Sequence, residues 1–226
     1  VIRDWSSDVC SSDLPVPEVK LGSVLVQTAC SLVSAGTERM VVDFAAKSLI
    51  GKAAACPDLV RQVINKAMRE GVISSVEAAF NKIDQPMPLG YSSAGTVVEV
   101  AEDVTDFKPG DRVACAGGGY AVHAEYTLVP INLLAKLPEN VGFEPAAFTT
   151  LGAIALLGFR LAAPQIGERV CIIGMGLLGL LSAQIARAAG CTVFGIDLSP
   201  ERVKLAEQMG FTAAARGDCL DLAAGL

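Results

Sequence analysis

The segment Val170-Cys171-Ile172-Ile173-Gly174-Met175-Gly176-Leu177-Leu178-Gly179 sets glycines at G-x-G-x-x-G spacing between an apolar strand and an apolar helix. Each glycine has its own task in such a unit. The first permits a tight turn, the second lets backbone approach a pyrophosphate, and the third lets helix and strand pack closely. Amides at the helix start, with the helix dipole, then meet the phosphate charge. The spacing alone is weak evidence and also fits a glycine turn without ligand. Here, however, a second strand ends at Asp197, twenty-one residues beyond Gly176. The acid that holds the adenosine ribose hydroxyls is expected about 20 residues on. The segment therefore predicts a dinucleotide site at Gly174, Met175, Gly176, Leu177, Leu178, Gly179 and Asp197.

A carboxylate at position 197 accepts hydrogen bonds from a ribose 2′-hydroxyl and repels a 2′-phosphate, which favours NAD. Arg202 keeps NADP as the alternative and is counted with the cofactor residues; its plainer reading is a solvated residue at a helix start. Around the loop, strand and helix alternate from Gly167 onward. A buried strand over 170–173, a helix to Ala189, a strand over 192–196, a helix near 201–209 and a third strand near 212–214 predict a parallel, doubly wound sheet.

Upstream, from Pro15 to about Pro138, short β-favouring runs dominate, at 24–29, 96–100, 112–116 and 125–129. Lys108-Pro109-Gly110-Asp111 places a turn directly before one of them. Between them lies a helical stretch in which Leu59, Val60, Val63, Ile64, Ala67 and Met68 share one face. Ser74-Ser75-Val76-Glu77 reads as a capping box for a further helix. Helix is expected again from Glu144 to Leu161.

Composition fits a folded globular chain. Of 226 residues, 52% are hydrophobic and 19% charged, with a mean hydropathy of +0.48. The net charge of −6 and the absence of a basic cluster argue against nucleic acid as a partner. Apolar runs are too short for a bilayer span, so no membrane is expected. The seven cysteines are scattered singly and form neither a zinc knuckle nor a disulfide framework. A reduced, cytoplasmic setting follows as the expectation.

The first fourteen residues stand apart. Asp4 to Leu14 reads DWSSDVCSSDL, and resembles the translation of a short-read sequencing adapter joined to the coding sequence. Residues 1–14 are therefore expected to be an artefact and are set aside from fold reasoning.

A strand-rich region followed by a dinucleotide unit resembles the medium-chain dehydrogenases/reductases of the alcohol dehydrogenase type. Gly36-Thr37-Glu38 resembles that family's Gly-Thr-Asp, Gly90-Tyr91-Ser92-Ser93-Ala94-Gly95 its Gly-His-Glu-x-x-Gly, and residues 108–113 a domain hallmark. The resemblance implies an α/β fold: a GroES-like, mainly-β domain over 15–150 with a helical insert at 47–82, then the N-terminal half of a Rossmann domain over 151–226. The zinc-dependent members carry a ligating Cys where this chain has Ala35, and a ligating His where it has Tyr91. Thr150 or its neighbour falls near the third ligand position. A catalytic zinc needs three side chains such as Cys or His, so no zinc and no metal residue is expected.

The zinc-independent branch, which includes quinone reductases, is the better likeness. More narrowly, Ser34 to Arg39, the 47–82 insert, Gly90 to Gly95 and Cys115 to Tyr120 resemble bi-domain oxidoreductases. In those, a zinc-free dehydrogenase precedes a second domain of the Gfo/Idh/MocA type, which is expected to be missing here. The chain as given is accordingly expected to be an inactive fragment.

The resemblance implies hydride transfer between the cofactor and a small carbonyl, alcohol or enone substrate, in a homo-oligomer. A non-catalytic NAD-binding sensor or structural protein of the same fold is the alternative. Without a metal, chemistry must rest on positioning and on hydrogen bonds to the substrate oxygen. Tyr91, Ser92 and Thr37 are the candidates, each with a structural hydroxyl as its plain reading. Thr150 is expected near the nicotinamide, with an N-cap role competing for it and for Thr149. His123, the one histidine, sits in a stretch that alternates like a strand, so a satisfied strand histidine outweighs a catalytic one. Glu38 is expected in a structural ion pair with an arginine.

Overall fold

The computed structural model describes residues 15–45 and 88–215. The helical insert at 47–82, the first fourteen residues and the segment after 215 lie outside them. Among the described residues two sheets form, and their residues explain why they differ.

The first is antiparallel. Strands β1 (Ser23–Ser31), β2 (Ser92–Val100), β3 (Arg112–Ala116), β4 (Tyr126–Pro130) and β5 (Leu134–Lys136) are ordered β4-β1-β2-β3-β5. Val24, Val26, Val97, Val113 and Val129 are fully buried and make its core with Cys115 and Ala121. Side chains alternate between the faces of a strand, and Leu25, Ala94 and Ala114 are buried between these positions, so both faces are covered over part of the sheet. Gly95 is needed where β2 crosses β1, because a Cβ there would meet the Gln27 carbonyl oxygen at 2.1 Å. The irregular pairing between Thr28 and Cys30 accommodates that approach.

The Lys108–Asp111 turn is closed by its own acid. Asp111 accepts from the Lys108 amide at 3.1 Å and pairs with Lys136 Nζ at 2.8 Å. Arg112 then donates to the carbonyls of Glu139 and Val141 and lies 4.8 Å from the Phe143 ring centroid. These contacts tie β3 to the start of α2 (Phe143–Ala146).

The second sheet is parallel. Strands β6 (Arg169–Ile173), β7 (Thr192–Asp197) and β8 (Thr212–Ala215) alternate with helices α4 (Leu177–Ala188) and α5 (Pro200–Gln208), as the periodicity predicts. Helix α3 (Thr149–Ala162) crosses the expected 150/151 join and packs on α4. Leu180, Ala183 and Ala186 of α4, Val193 of β7 and Ala206 of α5 form the shared core. Together the sheets give a mainly-β domain followed by a doubly wound parallel sheet.

Three local expectations need correction. Residues 35–45 form helix α1 (Ala35–Ala45), where strands and turns were expected. Its N-terminus is closed locally: the Glu38 carboxylate reaches back to accept from the Ser34 amide at 2.8 Å. Residues 120–125 alternate in polarity but form a turn-rich loop, because Gly117 and Gly119 take positive φ and fold the chain back before β4 begins. The short β5 carried too few residues to read from sequence. Strand β6 is not buried: Val170 and Ile172 face the helices, while Arg169, Cys171 and Ile173 point away and are exposed. It pairs with β7 alone among the described strands, at the sheet edge.

Candidate functional site: the glycine elbow and the polar loop beside β1

The elbow between β6 and α4 is built by the first and third glycines. Gly174 has φ +96°, a conformation glycine adopts without steric cost, and its amide donates to the Ile196 carbonyl at 2.7 Å. At Gly179 a Cβ would meet the Gly174 carbonyl oxygen at 1.8 Å, so only glycine lets α4 close on the turn. Both requirements arise inside the protein.

Gly176 differs. It is the N-cap of α4 with φ −77° and ψ −166°, and no side chain caps the helix there. A Cβ on it would find nothing nearer than the Arg202 guanidinium at 3.9 Å. The fold makes no demand for glycine at this position. The first-turn amides of a helix have no acceptor within the helix, so an anion placed against Gly176 would receive them.

Asp197, at the tip of β7, lies beside the elbow. Oδ2 accepts from the Met175 amide at 2.7 Å and Oδ1 from the Ser199 amide at 2.8 Å. Arg202 Nη1 is 3.7 Å from Oδ2. Burial pushes this carboxyl up, but the amides of Ser199 and Met175, the Arg202 charge and the Leu198 amide outweigh it and hold its pKa below the ordinary value. Each oxygen keeps lone-pair capacity beyond these bonds. Arg202 is thus an ion partner of Asp197 rather than a merely solvated residue. Ser199 caps α5 by accepting from the Arg202 amide at 3.4 Å, with Pro200 at the first turn.

The remaining predicted cofactor residues divide. Leu177 and Leu178 are partly exposed on the first turn of α4. Met175, expected among the cofactor residues, turns its side chain inward. Its side chain is fully buried under Gly195, where a Cβ would meet Sδ at 2.3 Å, and its amide is taken by Asp197. Thr150 donates to the Cys115 carbonyl at 3.4 Å, which ties the start of α3 to β3. Neither Thr149 nor Thr150 caps α3, whose N-cap is Phe148.

The three catalytic candidates are not joined to one another by hydrogen bonds. Ser92 is 1% exposed and donates to the Ala147 carbonyl at 2.6 Å, a tie between β2 and α2. Thr37 is exposed on α1, 3.4 Å from Ser34 Oγ. Tyr91 is half-buried, and its carbonyl accepts from the Gly117 amide.

Close to Tyr91 the structure assembles a group that sequence reasoning missed. His123 Nδ1 lies 2.9 Å from Ser31 Oγ, and Nε2 lies 3.1 Å from Glu38 Oε2. Glu38 therefore pairs with His123, not with an arginine. Gly90, at φ +97°, admits the imidazole: a Cβ there would meet the His123 amide nitrogen at 2.9 Å and the ring at 3.0 Å. Ser31 offered no motif, since serine at a strand end is ordinary, and only tertiary structure brings the three together. Among the described residues no three or more His, Cys, Asp or Glu side chains cluster as a metal site. No helix among them is long and apolar enough to cross a membrane.

Comparison with known proteins bears on the fold. Residues 50–139 match the family described as the alcohol dehydrogenase GroES-like domain. The chain is 33% identical over 152 residues to (R,R)-butanediol dehydrogenase of Bacillus subtilis, covering 55% of this chain and 43% of that protein. It is 31% identical over 156 residues to sorbitol dehydrogenase of Bos taurus, covering 57% and 44%. The chain spans under half the length of these two curated relatives. Galactitol-1-phosphate dehydrogenase from Escherichia coli superposes with a TM-score of 0.66 at 24% identity, over 90% of this chain and 57% of that one, a likeness of fold. An alcohol dehydrogenase superfamily protein from Novosphingobium aromaticivorans superposes at 0.60 with 27% identity, over 90% and 54%. Sequence and superposition alike describe a GroES-like domain followed by a Rossmann-type sheet.

Proposed function

We propose that this alcohol dehydrogenase-like chain, of the medium-chain dehydrogenase/reductase kind, is an NAD(H)-dependent oxidoreductase that works without zinc. Its substrate would be a small carbonyl, alcohol or enone. The observation that carries the reading is Gly176: the fold explains Gly174 and Gly179 but leaves the middle glycine open, beside unpaired helix amides and next to Asp197. A pyrophosphate accounts for that opening. Asp197 would accept the ribose hydroxyls, and Arg202 would flank them.

Bound there, a nicotinamide dinucleotide supplies the hydride acceptor or donor. The chain's own part is to fix the adenosine end through Asp197, present amides at 176–178 and position the substrate. Zinc independence is supported by donor chemistry, since Ala35 offers no ligand atom and Tyr91 replaces an imidazole. The same reading includes a homo-oligomer in the cytoplasm and a second, Gfo/Idh/MocA-type oxidoreductase domain in the whole protein.

The test is titration calorimetry with NADH and NADPH on this chain and on Asp197→Ser. NADH should bind more tightly than NADPH, and the substitution should narrow the gap by about tenfold or more, the scale of one hydrogen-bonded charge lost. Equal binding of both cofactors by the parent chain, or none of either, removes the proposal. Turnover by the full-length protein on a carbonyl and alcohol panel separates an enzyme from a protein that only binds the cofactor.

A further inference from the structure

Ser31, His123 and Glu38 form a continuous hydrogen-bonded chain, from the end of β1 through the 117–125 loop to α1. Its polarity follows from donor and acceptor chemistry. An ionised carboxylate only accepts, so the imidazole nitrogen facing Glu38 carries the proton. In the neutral ring Nδ1 is then bare and accepts from the Ser31 hydroxyl. Glu38 is held in turn, its other oxygen accepting from the Ser34 amide at 2.8 Å. Burial is graded along the chain: Glu38 is 8% exposed, whereas Ser31 is half-buried and is the end nearer to solvent. Gly90 is reserved for the ring by its positive φ and the absence of a side chain.

We infer that this chain of groups is a proton relay, with Ser31 as the hydroxyl that meets the substrate oxygen and His123 as the proton holder. The inference rests on the oxidoreductase reading above. In alcohol oxidation the substrate O–H proton passes to Ser31 Oγ as the Ser31 proton moves to His123 Nδ1. A bound oxidised nicotinamide would supply the acceptor for the hydride leaving the carbinol carbon. The products are a carbonyl, reduced cofactor and an imidazolium paired with the Glu38 carboxylate, so protons and electrons balance. Reduction runs the steps backward. Glu38 is a positioning residue here, acting through His123.

His123 is the sole histidine, which makes its imidazole nitrogens unambiguous in 15N NMR. In the neutral ring the proton is expected on Nε2 with Nδ1 bare. Ser31→Ala should move the Nδ1 resonance toward that of an unbonded nitrogen and leave Nε2 protonated. Glu38→Gln should weaken the preference between the two tautomers. A proton found on Nδ1 in the parent chain overturns the relay, whatever the activity.

In the turnover assay Ser31→Ala and His123→Gln should lower kcat by about 10²-fold or more, with the NADH dissociation constant unchanged. Measured in the full-length protein, unchanged kcat in Ser31→Ala overturns the relay, as does a full-length parent that binds cofactor but turns nothing over. A parent that binds no cofactor instead defeats the oxidoreductase reading, while the tautomer measurement still decides whether Ser31 can hand its proton to His123.

Discussion

The backbone amide of Met175 donates to Oδ2 of Asp197 at 2.7 Å, joining the turn after β6 to the tip of β7. The two positions that the sequence separates by twenty-two residues therefore share one edge of the parallel sheet. The acid orders the elbow from within, and each of its oxygens keeps lone-pair capacity beyond these bonds. Its charge is maintained by neighbouring amides and Arg202, so the elbow depends on the ionised form.

That dependence has a sign. The folded pKa of Asp197 is lowered, so its contribution to stability is present above the unfolded value of about 4. It is lost as pH falls through the lower folded value. Acid unfolding of the parent chain and of Asp197→Asn, followed by circular dichroism, should show the variant less stable at neutral pH, with the gap closing in acid. A gap that stays constant across the acid range contradicts the assignment.

The elbow glycines should separate fold from binding. Gly179→Ala drives a methyl into the Gly174 carbonyl and should cost about 1–3 kcal/mol or more. Gly176→Ala meets open space at an allowed φ and should cost under about 1 kcal/mol, the loss of a favoured N-cap residue. Yet Gly176→Ala should weaken NADH binding at least about tenfold, because a pyrophosphate must approach that atom. Urea melts and calorimetry on both variants check the contrast.

Much of this was legible beforehand. The glycine spacing, Asp197 and the alternation after Gly167 place the parallel sheet, because local periodicity and a fixed offset encode it. The polar cluster was not legible. Ser31, Glu38 and His123 come from three separate segments, and no short-range pattern links a strand end, a first helical turn and a glycine-rich loop. The alternation at 120–126 misled for the same reason: Gly117 and Gly119 override it by turning the backbone. Met175 looked like part of the motif's binding surface, but the hydrophobic space under Gly195 takes its side chain inward.

Ser92 should behave as a structural tie. Ser92→Ala leaves the buried Ala147 carbonyl without its donor and should cost about 1–3 kcal/mol. Cofactor affinity should not change. A Ser92→Ala protein of full stability but impaired hydride transfer would restore it to the list of reacting groups.

Cys115 should be chemically silent in the folded chain. It is 2% exposed, and burial pushes its thiol up to about 12, so almost no thiolate exists near neutral pH. Mass spectrometry after brief iodoacetamide treatment should find it unmodified in buffer and labelled in denaturant. Rapid labelling of the native chain would mean that the antiparallel core opens far more readily than its packing indicates.

The outward row of β6 bears on handling. Ile173 is 86% exposed at the strand's end, and Ile166 and Leu161 just upstream are 88% and 79% exposed. Exposed aliphatic side chains at and just before an edge strand are a nucleus for self-association. Light scattering should therefore rise with concentration and warmth, and a net charge of −6 is too small and too dispersed to keep such edges apart.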